Sequence, residues 1–162
     1  MATVFLSYSH KDEHYRKQVA AHFGVIAKHH HVTVWTDKRL QGGDRWREEI
    51  SRVITQADLV VLLVSQHALT SDFILAEEVE PALKASKRVY PILVRDCDWQ
   101  GVDWLAKLQV RPEGAMPLAG MRPAQRDKAL ASICREIRNL LANETKPVSS
   151  HTSGSPRKWK IE

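Results

Sequence analysis

Residues 58–64 read Asp58-Leu-Val-Val-Leu-Leu-Val64, and this is the most hydrophobic strand candidate of the chain. Six apolar residues without polar alternation are typical of a strand that is buried on both faces of a parallel sheet. Ser65 follows directly, and the run after it ends in Glu77 and Glu78. In parallel sheets covered by helices, ligands bind outside the carboxyl ends of the strands. We therefore predict a parallel α/β fold, with Glu77 as the candidate for its chemistry.

Strand and helix patterns alternate along the rest of the chain. The predicted strands cover residues 3–7, 31–35, 58–64 and 88–94, and the predicted helices cover residues 13–28, a segment behind Asp44, residues 72–85 and a segment from Pro123 to Leu141. A short fifth strand is expected within residues 96–121. A βαβα series of this kind implies a parallel sheet with helices on both faces.

Composition limits the class of protein. The chain has 162 residues, of which 43% are hydrophobic and 27% charged, as is ordinary for a soluble globular domain. The start has no signal-peptide pattern, and no apolar run approaches the roughly 20 residues that span a bilayer. The two cysteines, Cys97 and Cys134, lie far apart, which fits a reducing compartment. We expect a cytoplasmic protein without membrane association.

The net charge of +5 comes from scattered lysines and arginines and partly from a basic C-terminal segment. A dispersed basic surface indicates solvation more than phosphate recognition, so nucleic acid is not an expected partner of this domain. After Asn143 the chain becomes rich in Ser, Thr and Pro, which is typical of a linker. The prediction is a folded domain over residues 1–143, with residues 144–162 as a tail or linker that leads to a further domain.

Three sequence blocks occur in order at appropriate separations. They are Phe5-Leu-Ser-Tyr-Ser-His10, then Trp35-Thr-Asp37 with Gly42-Gly-Asp-Arg-Trp46, and finally Ser71-Asp-Phe-Ile-Leu-Ala-Glu77. Together they resemble a TIR domain, the Toll-receptor-type module, of the bacterial NAD-cleaving kind. The resemblance implies a flavodoxin-like fold, with a five-stranded parallel sheet in the order 2-1-3-4-5.

The resemblance also implies an activity. Many bacterial and plant TIR domains cleave NAD+ to nicotinamide and ADP-ribose or a cyclic isomer, and others act only as scaffolds. In enzymatic members the catalytic glutamate lies four residues after an aromatic position, which from Phe73 gives Glu77. Glu78 beside it is the alternative by register. Without the resemblance, both carboxylates would be interpreted as the solvated acidic start of a helix.

One carboxylate is chemically adequate for this reaction. Breaking the bond between ribose and nicotinamide builds positive charge on the sugar, and nicotinamide leaves as a neutral pyridine that needs no general acid. Ordinary glycosidases use two carboxylates, but here one is enough. It hydrogen-bonds the ribose hydroxyls and stabilises the developing charge. NAD+ is the substrate, and neither a cofactor nor a metal is expected.

Further substrate-binding residues follow from the resemblance. They are Ser7, Tyr8, Ser9, His10, Asp37, Gly43, Trp46 and Ser71. Two of these have a structural alternative, since Ser9 could simply cap the first helix and the helical spacing of Trp46 with Ile50 favours a role in the core. Gly42 stands where the family usually has proline, which predicts a more flexible loop.

Two functions therefore compete. The first is an NAD+ glycohydrolase or cyclase, an effector of bacterial immunity that self-assembly activates through the loop at residues 36–46 and that a linked sensor domain controls. The second is a non-enzymatic adaptor that binds other TIR domains. A phosphoacceptor receiver domain shares the sheet topology, but it needs acidic residues directly after the first and third strands, where this chain has Ser7-Tyr-Ser9 and Ser65.

Overall fold

The structure of the chain is a computed structural model that describes residues 1–36 and 45–145. Four strands alternate with helices, as the hydrophobic patterns predict. The strands are β1 (Ala2–Ser7), β2 (Val32–Thr36), β3 (Leu59–Val64) and β4 (Val89–Leu93). The helices are α1 (Glu13–His29), α2 (Arg45–Gln56), α3 (Gln66–Leu69), α4 (Glu80–Lys84), α5 (Asp103–Ala106) and α6 (Pro123–Thr145), with short 3-10 turns at His10–Asp12, Trp99–Gly101 and Leu118–Gly120.

The four strands form one parallel sheet in the order β2-β1-β3-β4. Val4 in β1 lies opposite Val34 on one side and opposite Leu59 on the other, so β1 is an interior strand. The connection from β2 passes over β1 to reach β3, so the strand order reverses between the neighbours β1 and β3. This is the topological switch point, where open parallel sheets form their ligand crevices. The predicted flavodoxin-like α/β fold is confirmed.

The expected fifth strand is reduced to a single bridge in the described part of the chain. Arg111 lies in parallel register with Ile92 of β4. Its amide donates to the carbonyl of Pro91 at 2.9 Å, and the amide of Leu93 donates to the carbonyl of Arg111 at 2.6 Å. The chain turns directly after Arg111, since the amide of Ala115 donates to the carbonyl of Pro112 at 2.9 Å, and the ladder ends there.

Side chains of β1 and β3 alternate between two hydrophobic layers. Val4 and Leu6 face the layer that α1 and α6 cover, whereas Phe5 faces the layer that α2 and α4 cover. β3 is buried over its whole length, as the unbroken apolar run predicts. The sheet therefore has helices on both faces, and its carboxyl edge is where polar groups gather.

The segment predicted as a regular helix over residues 72–85 departs from α-geometry. A π-helical turn covers Ile74–Val79, in which the amide of Glu80 donates to the carbonyl of Leu75, five residues earlier. Regular α4 begins only at Glu80 and carries Pro81 in its first turn. Proline cannot donate to the carbonyl four residues before it, so an uninterrupted α-ladder through this point is impossible. Turns of the π type are rare and often occur at functional sites.

Candidate functional site

A cleft of about 230 Å³ lies at the carboxyl edge of the sheet, beside the switch point. The described residues that line it are Tyr8, Ser9, His10, Lys11, Ser71, Phe73 and Ile74. One wall is the segment after β1, and the other is the segment that leads into the π-helical turn. Four of the predicted binding residues, Tyr8, Ser9, His10 and Ser71, are thereby brought together.

The wall after β1 combines buried and accessible groups. Ser7 is completely buried, and its hydroxyl has no hydrogen-bond partner among the residues that the structure describes. Tyr8 is also buried, and its ring meets the exposed ring of His10 edge to face, with the centroids 5.8 Å apart. Ser9 caps the short turn after it, since its hydroxyl accepts from the amide of Lys11 at 3.4 Å. The capping role considered for Ser9 is therefore present, and Ser9 lines the cleft as well.

Electrostatics at this wall involve one local ion pair. Arg16 donates to the carboxylate of Glu13 through both Nε and Nη2. This hydrogen bonding holds the pKa of Glu13 below its usual value. The same guanidinium lies 5.7 Å from the centroid of the Tyr8 ring. The arrangement holds Tyr8 in position through a cation–π contact.

The opposite wall is organised by Ser71 and an aromatic pair. The hydroxyl of Ser71 accepts from the amide of Ile74 at 3.2 Å and so caps the turn that follows. The ring of Phe73 packs against that of Trp46, with centroids 4.9 Å apart and planes inclined at 47°. Trp46 is half-buried on α2 and belongs to the edge of the hydrophobic layer, as its helical spacing favours.

The two candidate carboxylates lie one turn beyond the cleft wall. Glu77 is half-buried, whereas Glu78 is completely buried. Both belong to the π-helical turn, and neither contributes to the lining of the cleft. The sequence analysis singled out this pair of neighbours, and in the structure only the second, Glu78, is completely buried.

A buried polar network that the sequence analysis did not identify joins three strands at the same edge. Asp12 is 0% exposed, and its two oxygens accept from Arg95 Nε at 2.8 Å and from the Ser65 hydroxyl. The Ser65 hydroxyl in turn accepts from the amide of Ala68 at 3.1 Å and caps α3. Arg95 also lies 5.1 Å from the ring of Tyr15. The sequence signal for this network was Asp12 itself, a charged residue shortly after β1. Its two partners lie 53 and 83 residues further along the chain, so the sequence did not indicate them.

Two predicted binding residues, Asp37 and Gly43, lie outside the described residues, as do most of the loop at residues 36–46 and the tail from residue 146. A larger cavity of about 300 Å³ lies away from the switch point, between α6 and the segment at residues 111–121. It contains the ion pair of Arg111 with Glu136 and holds none of the predicted site residues.

Within residues 1–36 and 45–145, no three His, Cys, Asp or Glu side chains gather in a way that could hold a metal ion. No helix in the same part of the chain has the length and apolar character needed to cross a membrane. Burial raises the pKa of the Cys134 thiol to about 11 and also raises that of Cys97. Raised values keep both thiols protonated and disfavour a nucleophilic role.

Comparison with known proteins places the chain in a family. The family model described as TIR domain matches residues 4–116. The uncharacterized protein y4lF of Sinorhizobium fredii (strain NBRC 101917 / NGR234) is 27% identical over 154 residues, which cover 93% of this chain and 47% of that protein. The chain thus spans about half the length of this curated relative.

Two solved structures share the fold. The TIR domain of the Toll-related receptor TRR-2 from Hydra magnipapillata superposes with a TM-score of 0.59 at 16% identity, covering 84% of this chain and 98% of that one. A prokaryotic SEFIR domain superposes with a TM-score of 0.53 at 18% identity, covering 96% and 100%. Together with the family match over more than half of its residues, the sheet order and the position of the cleft, these findings lead to one conclusion: the chain belongs to the TIR domain family.

Proposed function

We propose that this TIR domain is an NAD+ glycohydrolase or cyclase, which breaks the bond between nicotinamide and ribose and releases ADP-ribose or a cyclic isomer. The observation that carries the proposal is the position of the pair Glu77–Glu78, in a π-helical turn close to the switch-point cleft. Phe73, directly before this turn, lines the cleft. A carboxylate near a cleft at this edge is suited to stabilise a sugar that becomes cationic. The sequence prediction names Glu77 as that carboxylate.

The lining of the cleft supports a nucleotide as the ligand. The hydroxyl groups of Ser9 and Ser71 and the ring of His10 offer hydrogen bonds to ribose or phosphate, and Lys11 adds a positive charge. The aromatic pair of Phe73 and Trp46 provides an apolar surface for a flat ring. Asp37 and Gly43, which lie outside the described residues, complete the set of proposed binding residues together with Ser7 and Tyr8. NAD+ is the substrate in this scheme, and the reaction requires neither a cofactor nor a metal.

The size of the cleft supports activation by self-assembly. Sites for drug-sized ligands usually measure about 300 to 1,000 Å³, whereas the cleft formed by the described residues measures about 230 Å³. A dinucleotide therefore needs further walls, and we propose that a second TIR domain supplies part of them, with the loop at residues 36–46 in the contact.

The cellular setting is also a proposal. The curated relative is about twice as long as the matched region, which supports a longer protein in which this domain is one part. We propose a cytoplasmic effector of bacterial antiviral defence, whose TIR domain is linked to a sensor domain that drives assembly.

The decisive experiment measures nicotinamide release from NAD+ by the wild-type domain over a range of protein concentrations, with the products resolved by chromatography. We expect turnover per molecule to rise with concentration because assembly completes the pocket. The double variant Glu77→Gln/Glu78→Gln should lose at least about 100-fold in rate, the usual cost of removing a group that stabilises a transition state. Glu80→Gln, an exposed carboxylate at the start of α4, is the matched control and should stay active.

Self-association of the wild type without nicotinamide release at any concentration would favour the alternative function, a non-enzymatic scaffold that brings TIR domains together. A double variant as active as the wild type would refute a catalytic role for this turn.

A further inference from the structure

We propose that the cavity between α6 and residues 111–121, which we name the α6 cavity, binds a free α-amino acid with a large apolar side chain. It shares none of its described lining residues with the switch-point cleft, so the inference does not rest on NAD+ cleavage. Three features lead to it: fixed walls, a buried hydroxyl beside an ion pair, and balanced charges next to apolar side chains.

Hydrogen bonds fix the walls of the α6 cavity. Arg126 on α6 donates to the carbonyl oxygens of Leu118 at 3.0 Å and of Met121 at 3.2 Å. The amide of Ala119 donates to the carbonyl of Val94, directly after β4, at 2.9 Å. The segment is thereby attached both to α6 and to the sheet, so a ligand finds a preorganised site. A volume of about 300 Å³ lies at the lower end of the range for small-molecule sites and suits a compact ligand.

A buried hydroxyl lies beside the ion pair that lines this cavity. Arg111 Nε donates to both carboxylate oxygens of Glu136, at 2.9 and 3.1 Å. Tyr90 on β4 is 4% exposed, and its hydroxyl has no hydrogen-bond partner among the residues that the structure describes. Burial raises the pKa of this hydroxyl, and the charges of Glu136 and Arg111 also act on it. A protonated donor next to the cavity therefore has hydrogen-bonding capacity that the described protein atoms do not use.

The charges around the cavity indicate a zwitterion. Arg111 and Lys128 contribute two positive charges to the lining, and Glu113 and Glu136 contribute two negative charges. An anion would meet two carboxylates, and a cation would meet two basic groups. A neutral molecule would displace water from charged groups without replacing its hydrogen bonds. A ligand that carries one charge of each sign can form a favourable contact with both kinds of group.

Much of the remaining lining is apolar. Pro112, Met121 and Ile133 are buried, whereas the side chain of Met116 is 40% exposed. An apolar group that covers these side chains is favoured because it removes apolar surface from water, and methionine adapts its shape to different partners. A compact molecule with an ammonium, a carboxylate and an apolar body is an α-amino acid with a large apolar side chain.

The test is titration calorimetry of the chain with L-leucine and L-phenylalanine, and we expect the wild type to bind both. Leucinamide lacks the carboxylate, and N-acetyl-leucine lacks the ammonium. Each should bind at least about tenfold more weakly than leucine, because a hydrogen bond to a charged group is lost. Glycine, which has no apolar side chain, should show no detectable binding.

Two variants test the location of the site. Ser132→Trp places a large side chain in the lining and should abolish binding of leucine. Asn139→Trp, at an exposed position of α6 outside the described lining, is the matched control and should bind as the wild type does. Lys128→Gln alters an exposed side chain of the lining and should weaken binding about tenfold. Melting temperatures verify that each variant is folded.

Three results would overturn the proposal. The first is a folded wild type that binds neither leucine nor phenylalanine. The second is equal affinity for leucine and for leucinamide or N-acetyl-leucine, because recognition would then not require both charges. The third is unchanged binding in folded Ser132→Trp and Lys128→Gln, which would locate the ligand elsewhere. Nicotinamide release is not measured here, so failure of either proposal leaves the other intact.

Discussion

Asp12 accepts hydrogen bonds from two residues that follow other strands, Ser65 after β3 and Arg95 after β4. It is completely buried, while the side chain of Arg95 is 36% exposed. A buried ion pair adds little to stability when both partners are present, but removing one partner leaves an uncompensated charge. The cost of breaking this pair should therefore depend on which partner remains.

We predict that Arg95→Met destabilises the domain more than Asp12→Asn. Without Arg95, the carboxylate of the buried Asp12 loses its charged partner, and the expected loss is about 3 to 5 kcal/mol. Without the Asp12 charge, Arg95 can turn toward water, and the loss should be about 1 to 3 kcal/mol. Urea denaturation of both variants measures the difference in free energy of unfolding.

Arg135→Met is the control for the loss of one positive charge, because Arg135 is exposed on α6 and should change the free energy of unfolding little. Equal losses for Arg95→Met and Asp12→Asn would show that the burial of Asp12 does not set the energetics of the pair.

At the scale of single residues, the sequence predicted the candidate site in part. Tyr8, Ser9, His10 and Ser71 meet in one cleft, because the ends of β1 and β3 meet at the switch point and the segments that follow them face each other. Motifs that follow buried strands are enough to predict such a meeting. The partners of the buried Asp12 were not predictable in the same way, since hydrogen bonds across 53 and 83 residues leave no local pattern.

At the scale of elements, the π-helical turn is the most distinctive feature. Ser71 caps its amino-terminal end, and Pro81 prevents a regular α-ladder behind it. The extra residue of the turn lies between the cleft wall and α4. Helix prediction from the sequence therefore found this element but not its π-helical hydrogen bond.

We predict that Ser71→Ala lowers the free energy of unfolding by about 1 kcal/mol, the usual cost of losing a helix cap. The reason is that the amide of Ile74 loses the hydroxyl that now accepts its hydrogen bond. Thermal or urea denaturation measures the effect.

Ser71→Asn is the matched comparison, because asparagine also caps helices well. If Ser71 only caps the turn, the asparagine variant should match the wild type both in stability and in the NAD+ cleavage that we propose. If Ser71 also contacts the substrate, stability returns while cleavage stays low. A Ser71→Ala variant as stable as the wild type would show that the cap contributes nothing.

At the scale of the whole molecule, α6 closes the layer that covers one face of the sheet. Its buried side chains Leu130, Ile133, Ile137 and Leu141 recur at three- and four-residue spacing, as the sequence predicts. Among the described residues, Leu141 is the last buried side chain. The packed domain therefore requires the chain at least as far as Leu141.

We predict that removing residues 146–162 leaves the melting temperature unchanged, because no buried side chain of the described domain is lost. Removing residues 137–162 is the control. It deletes Ile137 and Leu141 and should cost about 4 kcal/mol or more, a large share of the stability of an ordinary domain. A clear fall in melting temperature for the shorter truncation would show that residues 146–162 pack against the domain.

The sequence alone determined the class and order of the elements in this protein. Apolar runs and helical spacing depend on neighbours in the chain, so they predicted the four strands, the helices on both faces and the segments that meet at the switch point. The three blocks around Tyr8, Trp46 and Phe73 were enough to indicate the TIR family, which the family comparison then confirmed.

Tertiary structure decided the rest. The fifth strand shrank to one bridge because the chain turns away directly after Arg111. Asp12 became buried because two distant strands bring Ser65 and Arg95 to it. Glu78 became buried because its segment packs against α2 in the second hydrophobic layer. Each outcome depends on contacts between segments that are far apart in sequence, and a local sequence pattern does not contain such contacts.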